Sequence, residues 1–313
     1  MKSFYKNSFT VAVCSILLGI VLVLLGGLAG GTGLFLRMID SGDFSIDGND
    51  IPIWDDAWND VWDWDWDWDD DTTVLEFTYP MEEYNIENLD LQIGASTCEI
   101  QYEEDSSAYL VKVQVGGKSE EGVQVDVKND TLSVECSSDF KLLSKRRQPN
   151  KILITIPEKK VYDKVTLSIG AGNVEIEPVL QAQELSVEIG AGNIQAENLV
   201  AEECMECEVG AGKLEIEEIK AGNLKMKCEA GLLVGDSVQV SGNVNINCDA
   251  GLVELELEEK ESSFDYDLSC SVGRITIGDD SHSGLAFSKT IDNKADRELK
   301  VECNVGSVIV DFE

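Results

Sequence analysis

Residues 167–177, LSIGAGNVEIE, are the first candidate for chemistry in this chain, because an apolar strand runs into Gly170-Ala171-Gly172. A glycine-rich turn after a strand can hold a phosphate when a helix follows, since the backbone amides at the start of that helix point at the anion. Here strand-like sequence follows the glycines, and the same element occurs in seven rows along the chain. The spacing therefore predicts a repeated structural unit and no phosphate site.

Histidine and cysteine, the usual catalytic and zinc-binding residues, provide no recognisable site. The chain has 1 histidine, His282, which excludes most catalytic triads and most zinc sites and is interpreted as a loop residue. Cys204 and Cys207 have the CxxC spacing of zinc ligands, but no second pair lies nearby in the sequence. We therefore expect no catalytic residue, no metal site and no cofactor.

Carboxylates at one outward position of the repeat are the remaining candidates for acid–base chemistry. They are Glu175, Glu215 and Glu254. A pair of carboxylates can hydrolyse a glycosidic bond when one is protonated and the other is charged. A regular row of carboxylates is more typical of a solvated surface, and an enzyme acting on polysaccharide stays open as a third interpretation.

Short strands would position these residues, because apolar and polar residues alternate strictly in every row. In the first row the apolar residues are Val165, Leu167 and Ile169. The apolar spacing then slips from two to three, which indicates that the chain turns a corner. The residue at the slip is a glycine in each row: Gly172, Gly192, Gly212, Gly231, Gly251, Gly273 and Gly306. We interpret these glycines as structural corners that need a positive φ or a close backbone approach.

A repeat of about 20 residues built from strands and corners predicts an all-β fold, a parallel β-helix or β-solenoid. Residues 73–164 are β-rich but less regular, with a hairpin predicted at Asn129-Asp130. The predicted organisation is 1–8 cytoplasmic N-terminus, 9–36 transmembrane anchor, 37–72 acidic linker, 73–164 irregular β cap or first coils, and 165–313 repeated solenoid.

The N-terminal apolar run predicts the location of the protein. Residues 9–36 are almost unbroken apolar sequence, longer than the roughly 20 residues that a membrane-spanning helix needs. Lys2 and Lys6 precede the run and many aspartates follow it, so the positive-inside rule places the C-terminal domain outside the cell. We expect a single-pass protein of the cell membrane. A cleaved signal peptide, with its site at Ala29-Gly30-Gly31, is the alternative.

The acidic linker contains all 6 tryptophans of the chain, and its segment VWDWDWDWDDD alternates strictly. In an extended conformation one edge of this segment is indole and the other is carboxylate. It is either a solvated spacer or a docking strip for the membrane interface, a partner or a sheet edge. The candidate docking residues are Trp62, Trp64, Trp66 and Trp68.

The 9 cysteines of the chain would suggest disulfides in an extracellular protein. Most of them occupy inward columns where other rows have isoleucine, valine or leucine, so we expect free thiols that pack as small apolar side chains. Stacked Cys228 and Cys248 would have Cα atoms close enough to bridge, but parallel, in-register Cβ vectors suit a disulfide poorly.

The formal net charge of −36 excludes nucleic acid as a partner, because such a chain repels polyphosphate. The expected partners are the membrane, through the N-terminal helix, and an envelope polymer or a membrane protein. The sequence indicates no oligomeric state.

The N-terminal span, the acidic tether, the segment ITIP and repeats of the type LSIGAGNVEIE resemble the putative-adhesin β-strand-repeat family of Gram-positive bacteria. The resemblance covers about residues 75–313. It implies a β-helical fold and a surface or envelope setting, and it implies no established chemistry.

These features favour a membrane-anchored, non-enzymatic module for surface display, adhesion or envelope interaction. The alternative is an envelope-stress or signalling accessory protein that binds a membrane partner through the tryptophan segment or the transmembrane helix.

Overall fold

The computed structural model describes residues 73–115, 122–136, 150–157, 159–283 and 286–313. The predicted anchor 9–36 and the linker 37–72, with its four candidate docking tryptophans, lie outside these residues. Within the described ranges, no helix has the length and hydropathy to cross a membrane.

The described residues form twenty-one strands and one short 3-10 turn, Glu261–Ser263. The strands are β1 (Thr73–Pro80), β2 (Asn88–Ile93), β3 (Ser96–Tyr102), β4 (Ala108–Val115), β5 (Val123–Lys128), β6 (Thr131–Cys136), β7 (Asn150–Ile156), β8 (Val161–Ile169), β9 (Asn173–Ile176), β10 (Leu180–Ile189), β11 (Asn193–Val209), β12 (Lys213–Cys228), β13 (Leu232–Val240), β14 (Val244–Cys248), β15 (Leu252–Leu257), β16 (Asp265–Cys270), β17 (Arg274–Ile277), β18 (Asp280–Ser283), β19 (Phe287–Ile291), β20 (Glu298–Cys303) and β21 (Ser307–Phe312). The predicted all-β class is confirmed.

These strands wind into a solenoid with two main faces joined at the glycine corner. The first face contains, in order of pairing, β6, β2, β8, β10, the end of β11, the end of β12, β14, β20 and β16. The second face contains β7, β3, β9, the start of β11, the start of β12, β13, β15, β21 and β17. Every pair in these two series is parallel and in register, so equivalent residues of successive coils lie on one another.

A third side is formed where the chain returns from the second face to the first. There Leu199 pairs with Ile219, and Ile219 pairs with Val238. All three side chains are buried, so the interior is bounded by apolar residues on three sides.

The order of the coils differs from the order of the chain at both ends of the stack. The coil β6–β7 lies outside the coil β2–β3, although it follows β3 in the sequence. The last coil, β20–β21, lies between β14–β15 and β16–β17. The C-terminal strands therefore fill an internal position of the ladder.

Antiparallel strands cover the outermost coils. At one end β4 pairs with β7, β1 with β4, and β5 with β6; at the other end β19 pairs with β16, and β18 with β17. The predicted hairpin at Asn129-Asp130 joins β5 to β6, and both residues have the positive φ that a two-residue hairpin turn favours. Residues 73–164 thus supply two complete coils and part of a cap. Such covering protects parallel edges that would otherwise pair with another chain.

The core is a single apolar cluster that runs through the described solenoid. Period-two alternation produces it, because every second residue of a strand points to the same side. In β16 the residues Tyr266, Leu268 and Cys270 are buried, and the residues between them are half-buried. The apolar columns of the repeat become the interior of the solenoid.

Candidate functional site

The seven corner glycines stand in one ladder, on successive coils. A Cβ added at Gly192 would overlap the carbonyl oxygen of Gly172, and one at Gly251 would lie 2.5 Å from the carbonyl oxygen of Gly231. None of the seven has a positive φ; among the described glycines only Gly122 and Gly278 do. The corner therefore requires glycine because the backbones of successive coils approach closely.

Backbone hydrogen bonds hold this corner together. The amide of Asn193 donates to the carbonyl of Gly172 at 2.9 Å, and the amide of Lys213 donates to Gly192 at the same distance. The glycine carbonyls therefore point along the stack to the next coil. The amides of Gly190 and Ala191, the donors that a phosphate would need, also donate to carbonyls of the preceding coil, so the fold already uses them.

The three outward carboxylates of the repeat do not lie beside each other. Gln195 separates Glu175 from Glu215 in the register, and Val234 separates Glu215 from Glu254. Glu215 accepts a hydrogen bond from Gln195 at 3.3 Å and forms an ion pair with Lys213 at 2.7 Å. The hydrogen bond between Gln195 and Glu215 therefore links side chains of this row on neighbouring coils.

Two carboxylates on this face, Glu99 and Glu175, are register partners on β3 and β9. Partial burial, and then the charge of Glu177, raises the pKa of both carboxyls. The sequence pattern did not single out Glu99, because its row is less regular than the later ones.

The third side of the solenoid carries an open groove of about 610 Å³, which we call the third-side groove. Its walls include the apolar residues Val200, Ala201, Ala221 and Val240. Its polar lining includes Glu202, Lys220, Gln239, Glu258, Glu259 and Arg297. The groove crosses successive coils, because Lys220 pairs in register with Gln239.

Hydrogen bonds fix the polar side chains of the third-side groove. Glu258 accepts hydrogen bonds from Ser237 and Gln239, and these bonds lower the pKa of its carboxyl. Lys220 forms an ion pair of 2.5 Å with Glu218, and the hydrogen bond from Lys220 raises the pKa of its ammonium group. The charges are thus held in place before any ligand arrives.

Arg297 contributes a guanidinium group to the lining of the third-side groove. Its guanidinium lies 4.4 Å from the ring centroid of Phe264, donates to the carbonyl of Val240 and is 3.5 Å from Glu259. The other carboxylate oxygen of Glu259, Oε2, is buried and accepts no hydrogen bond within the described residues. Sequence reasoning missed Arg297 because it lies in the connection before β20, outside the repeat columns.

His282, the only histidine of the chain, lies on β18 and not in a loop. Its Nε2 atom is 3.1 Å from Nζ of Lys289, and its ring stacks on Phe287 at 4.9 Å. Across the described ranges, no group of three or more histidine, cysteine, aspartate or glutamate side chains is arranged to hold a metal ion.

The eight cysteines that the structure describes are all free. Seven are buried and Cys204 is half-buried. Burial raises the pKa of the Cys207 thiol to about 12. Cys204 and Cys207 have the zinc-ligand spacing in the sequence, but only Cys207 points into the core.

A parallel stack of coils, seven of which turn at a corner glycine, capped by antiparallel strands, defines a β-solenoid class of protein. The chain belongs to the family described as Toastrack DUF4097, whose model matches residues 86–247 and 180–310. This confirms the resemblance to a domain family of unknown function.

Several solved structures are similar to this chain. One is a putative cell adhesion protein from Clostridium sporogenes, with 14% identity, covering 77% of this chain and 100% of that chain, at a TM-score of 0.32. Another is a putative adhesin from Bacteroides fragilis, with 16% identity, covering 76% and 97%, at a TM-score of 0.41. A third is a putative lipid binding protein from Parabacteroides distasonis, with 14% identity, covering 77% and 94%, at a TM-score of 0.36. No curated protein matches the chain.

Proposed function

We propose that this protein is a membrane-anchored, extracytoplasmic β-solenoid. It acts as a non-enzymatic module at the cell surface, either like an adhesin or by interacting with the cell envelope. The observation that carries the proposal is the third-side groove, an open polar strip on a rigid stack of coils. Lys220, Gln239 and Glu258 present a cation, an amide and a carboxylate along it. Such a strip suits an extended polar ligand that carries hydroxyl or charged groups.

The rigidity of the stack supports binding over a long contact. Coils are spaced by about 4.8 Å, so the side chains of successive coils form a regular series along the groove. Because hydrogen bonds already hold these side chains, little conformational entropy is lost when a ligand binds. An envelope polymer would meet a preformed surface.

The N-terminal sequence supports the membrane setting. Residues 9–36 have the length and composition of a membrane anchor, and the acidic residues after them stay outside. The aspartate-rich part of the linker, residues 40–71, has about 32 residues and would reach roughly 100 Å when fully extended. It would hold the solenoid away from the lipid, where an envelope polymer or a membrane protein could be its partner.

The test measures binding of the full chain to intact cells and to purified envelope polymers. The groove variant is Lys220→Ala/Gln239→Ala/Glu258→Ala. Its matched control is Lys225→Ala/Asn245→Ala/Glu206→Ala, which removes the same three kinds of side chain from register partners on the first face. We expect the groove variant to lose at least about tenfold in affinity, a loss of about 1.4 kcal/mol, and the control to bind normally.

Three outcomes would contradict the proposal. Equal binding by both variants would remove the groove as the binding surface. Crosslinking from residues 50–72 to one membrane protein, with no polymer binding, would favour the signalling accessory. Turnover of envelope glycans that Glu215→Gln abolishes would make the protein an enzyme.

Protease treatment of intact cells tests the location, because an extracytoplasmic solenoid would be cleaved.

A further inference from the structure

The end of the solenoid formed by the coil β6–β7 is covered unevenly. The second face carries two added antiparallel strands, β4 and then β1, whereas the first face carries only β5. All 8 residues of β1 pair with β4, and within the described residues no strand pairs with the other side of β1. That side is therefore a free sheet edge, with backbone donors and acceptors that another strand could use.

The side of β1 that faces the core is apolar and incompletely covered. Leu75, Phe77 and Tyr79 pack against the core cluster, but each of them is only half-buried. Val127 of β5 is half-buried as well. The hydroxyl group of Tyr79 donates to the carbonyl of Val125 at 3.0 Å, so this side of β1 lies across the end of the core from β5. Covering these side chains with further apolar surface would be favourable.

The outer side of β1 has a different character. Val74 is 44% exposed, and Glu76 and Thr78 are exposed too. Glu76 lies 3.8 Å from the ammonium group of Lys112 on β4. A strand that adds to β1 therefore gains most when its large apolar side chains lie on the core side and its polar side chains lie on the outer side.

The segment that precedes β1 in the sequence has this pattern. In residues 64–68, which we call the Trp-Asp segment, tryptophans alternate with Asp65 and Asp67. In a strand the indoles would share one side and the carboxylates the other. Residues 69–71 are aspartates, a residue type that favours turns. The sequence between this segment and β1 is therefore suited to a hairpin.

The length of the turn decides which side the indoles take. A loop with an even number of residues, either 70–71 or 69–72, gives one and the same hairpin register. The facing pairs in this register are Trp68 with Thr73, Trp66 with Leu75, and Trp64 with Phe77. All three indoles then lie on the core side of β1. A loop with one residue more would turn them to the outer side.

We propose that the Trp-Asp segment adds to the free edge of β1 as an antiparallel strand and covers the open end of the core. Trp64 and Trp66 bury apolar area of their rings against the half-buried side chains of β1. Asp67 faces the exposed Val74 on the outer side. Asp65 faces Glu76, and Lys112 offsets the repulsion between these two carboxylates.

Two observations favour a segment of the same chain over a second copy of the protein. Residue 68 is only five positions before Thr73, so the effective concentration of the segment at the edge is high. A second copy would bring another formal net charge of −36 to the same place. The added strand also protects β1 from pairing with other chains, and it leaves residues 40–63 as the free spacer.

The test uses tryptophan fluorescence of the full chain in phosphatidylcholine vesicles. All 6 tryptophans of the chain lie within residues 54–68, so the emission reports on this part of the chain alone. The docking variant is Trp64→Ser/Trp66→Ser, and its matched control is Trp54→Ser/Trp58→Ser. On β1, Phe77→Ala alters the core side and Val74→Ala alters the outer side. Circular dichroism melting curves show that each variant is folded.

We expect the wild-type protein to emit at shorter wavelength than the urea-unfolded protein, with a component that acrylamide does not quench. The docking variant and Phe77→Ala should lose this component, whereas the matched control and Val74→Ala should keep it. Hydrogen exchange followed by mass spectrometry tests the strand pairing itself. The amides of β1 should exchange at least about tenfold faster in the docking variant than in the wild type.

Three results would overturn the proposal. In the first, acrylamide quenches every indole of the folded protein as readily as in urea, as expected for a solvated spacer. In the second, brominated phosphatidylcholine quenches the component that the docking variant lacks, which would place these indoles in the membrane. In the third, the amides of β1 are protected only at concentrations where sedimentation shows a dimer, which would make the added strand part of a second copy.

Discussion

Asn304 donates a hydrogen bond of 2.6 Å from Nδ2 to Oδ1 of Asp249, a residue fifty-five positions earlier in the chain. The backbone repeats this contact, since the amide of Val305 donates to the carbonyl of Asp249 at 2.7 Å. On the other side of the same coil, the amide of Arg274 donates to the carbonyl of Gly306 at 3.1 Å. The last coil is thus held from both sides, and the C-terminus completes the middle of a ladder.

A core substitution in this last coil should therefore destabilise the protein strongly. Leu299 is fully buried and pairs with Val244 on one side and Tyr266 on the other. We expect Leu299→Ala to lower the free energy of unfolding by about 2–5 kcal/mol, because it leaves a cavity in a close-packed interior. Urea unfolding measures this loss.

The neighbouring residue provides the control for that experiment. Lys300 points outward and forms an exposed ion pair with Glu302. We expect Lys300→Ala to change the free energy of unfolding by less than about 0.5 kcal/mol. Similar losses in both variants would contradict the inserted position of β20.

The two glycines of one Gly-Ala-Gly element should respond differently to a methyl group. A Cβ at Gly172 would overlap the carbonyl oxygen of Ser96, whereas a Cβ at Gly170 would lie 3.3 Å from its nearest neighbour, Gly94. We expect Gly172→Ala to cost about 1–3 kcal/mol and Gly170→Ala to stay within about 0.5 kcal/mol of the wild type. Thermal and urea unfolding measure the stability of both variants. A larger loss of stability for Gly170→Ala than for Gly172→Ala would show that the corner does not depend on the close approach of two backbones.

The raised pKa of Glu175 predicts a stability effect that depends on pH. Partial burial, and then the charges of Glu177 and Glu197, raise its pKa in the folded protein. A carboxyl with a raised folded pKa binds its proton more tightly when folded, so its favourable contribution is present at low pH and is lost as the pH rises through the folded pKa. Glu175→Gln should therefore raise the melting temperature at pH 7 by about 1–2 °C and have no effect near pH 3.

Glu258 should show the opposite sign, because hydrogen bonds from Ser237 and Gln239 lower its pKa. The favourable contribution of this carboxylate to the stability of the folded protein is present above the unfolded pKa and is lost as the pH falls through the folded pKa. Glu258→Gln should therefore lower the melting temperature at pH 7 and leave it unchanged in acid. Melting curves of Glu175→Gln and Glu258→Gln at pH 7 and near pH 3 compare the two variants. If both variants changed the melting temperature in the same direction at pH 7, the opposite pKa shifts of Glu175 and Glu258 would be contradicted.

Thiol labelling should separate Cys204 from the buried cysteines. Cys204 is half-buried, whereas Cys207 is fully buried and its pKa is raised to about 12 by burial. Because the thiolate is the nucleophile, maleimide should label Cys204 in the native protein and the buried cysteines only after denaturation. Mass spectrometry of labelled peptides measures this, and disulfide-linked peptides under non-reducing conditions would contradict the free thiols.

Local sequence patterns were sufficient for the architecture of one coil. The alternation of Val165, Leu167 and Ile169 placed these residues inside, and all three are buried. The slip in spacing after Ile169 located the corner at Gly172. Both inferences depend only on the two-residue period of a strand and on the size of a side chain, so a single row of sequence contains them.

The third-side groove could not be predicted in the same way. Lys220 and Gln239 belong to the repeat, but Arg297 belongs to a connection that is distant in the chain and that reaches Val240 through a hydrogen bond. The position of a side chain relative to another coil depends on how the connections fold. No period in the sequence encodes that relationship.

The sequence by itself determined the all-β class, the repeated coil, the inward columns and the glycine corner, because each follows from residue types a few positions apart. Only the tertiary structure decided the order in which the coils stack, with β20–β21 inserted beneath β16–β17. The physical reason is that all coils offer nearly the same apolar column and the same backbone ladder, so each could pair with several others in register. In the folded protein the antiparallel strands cover both ends of one such order, and that order brings Cys303 between Cys248 and Cys270.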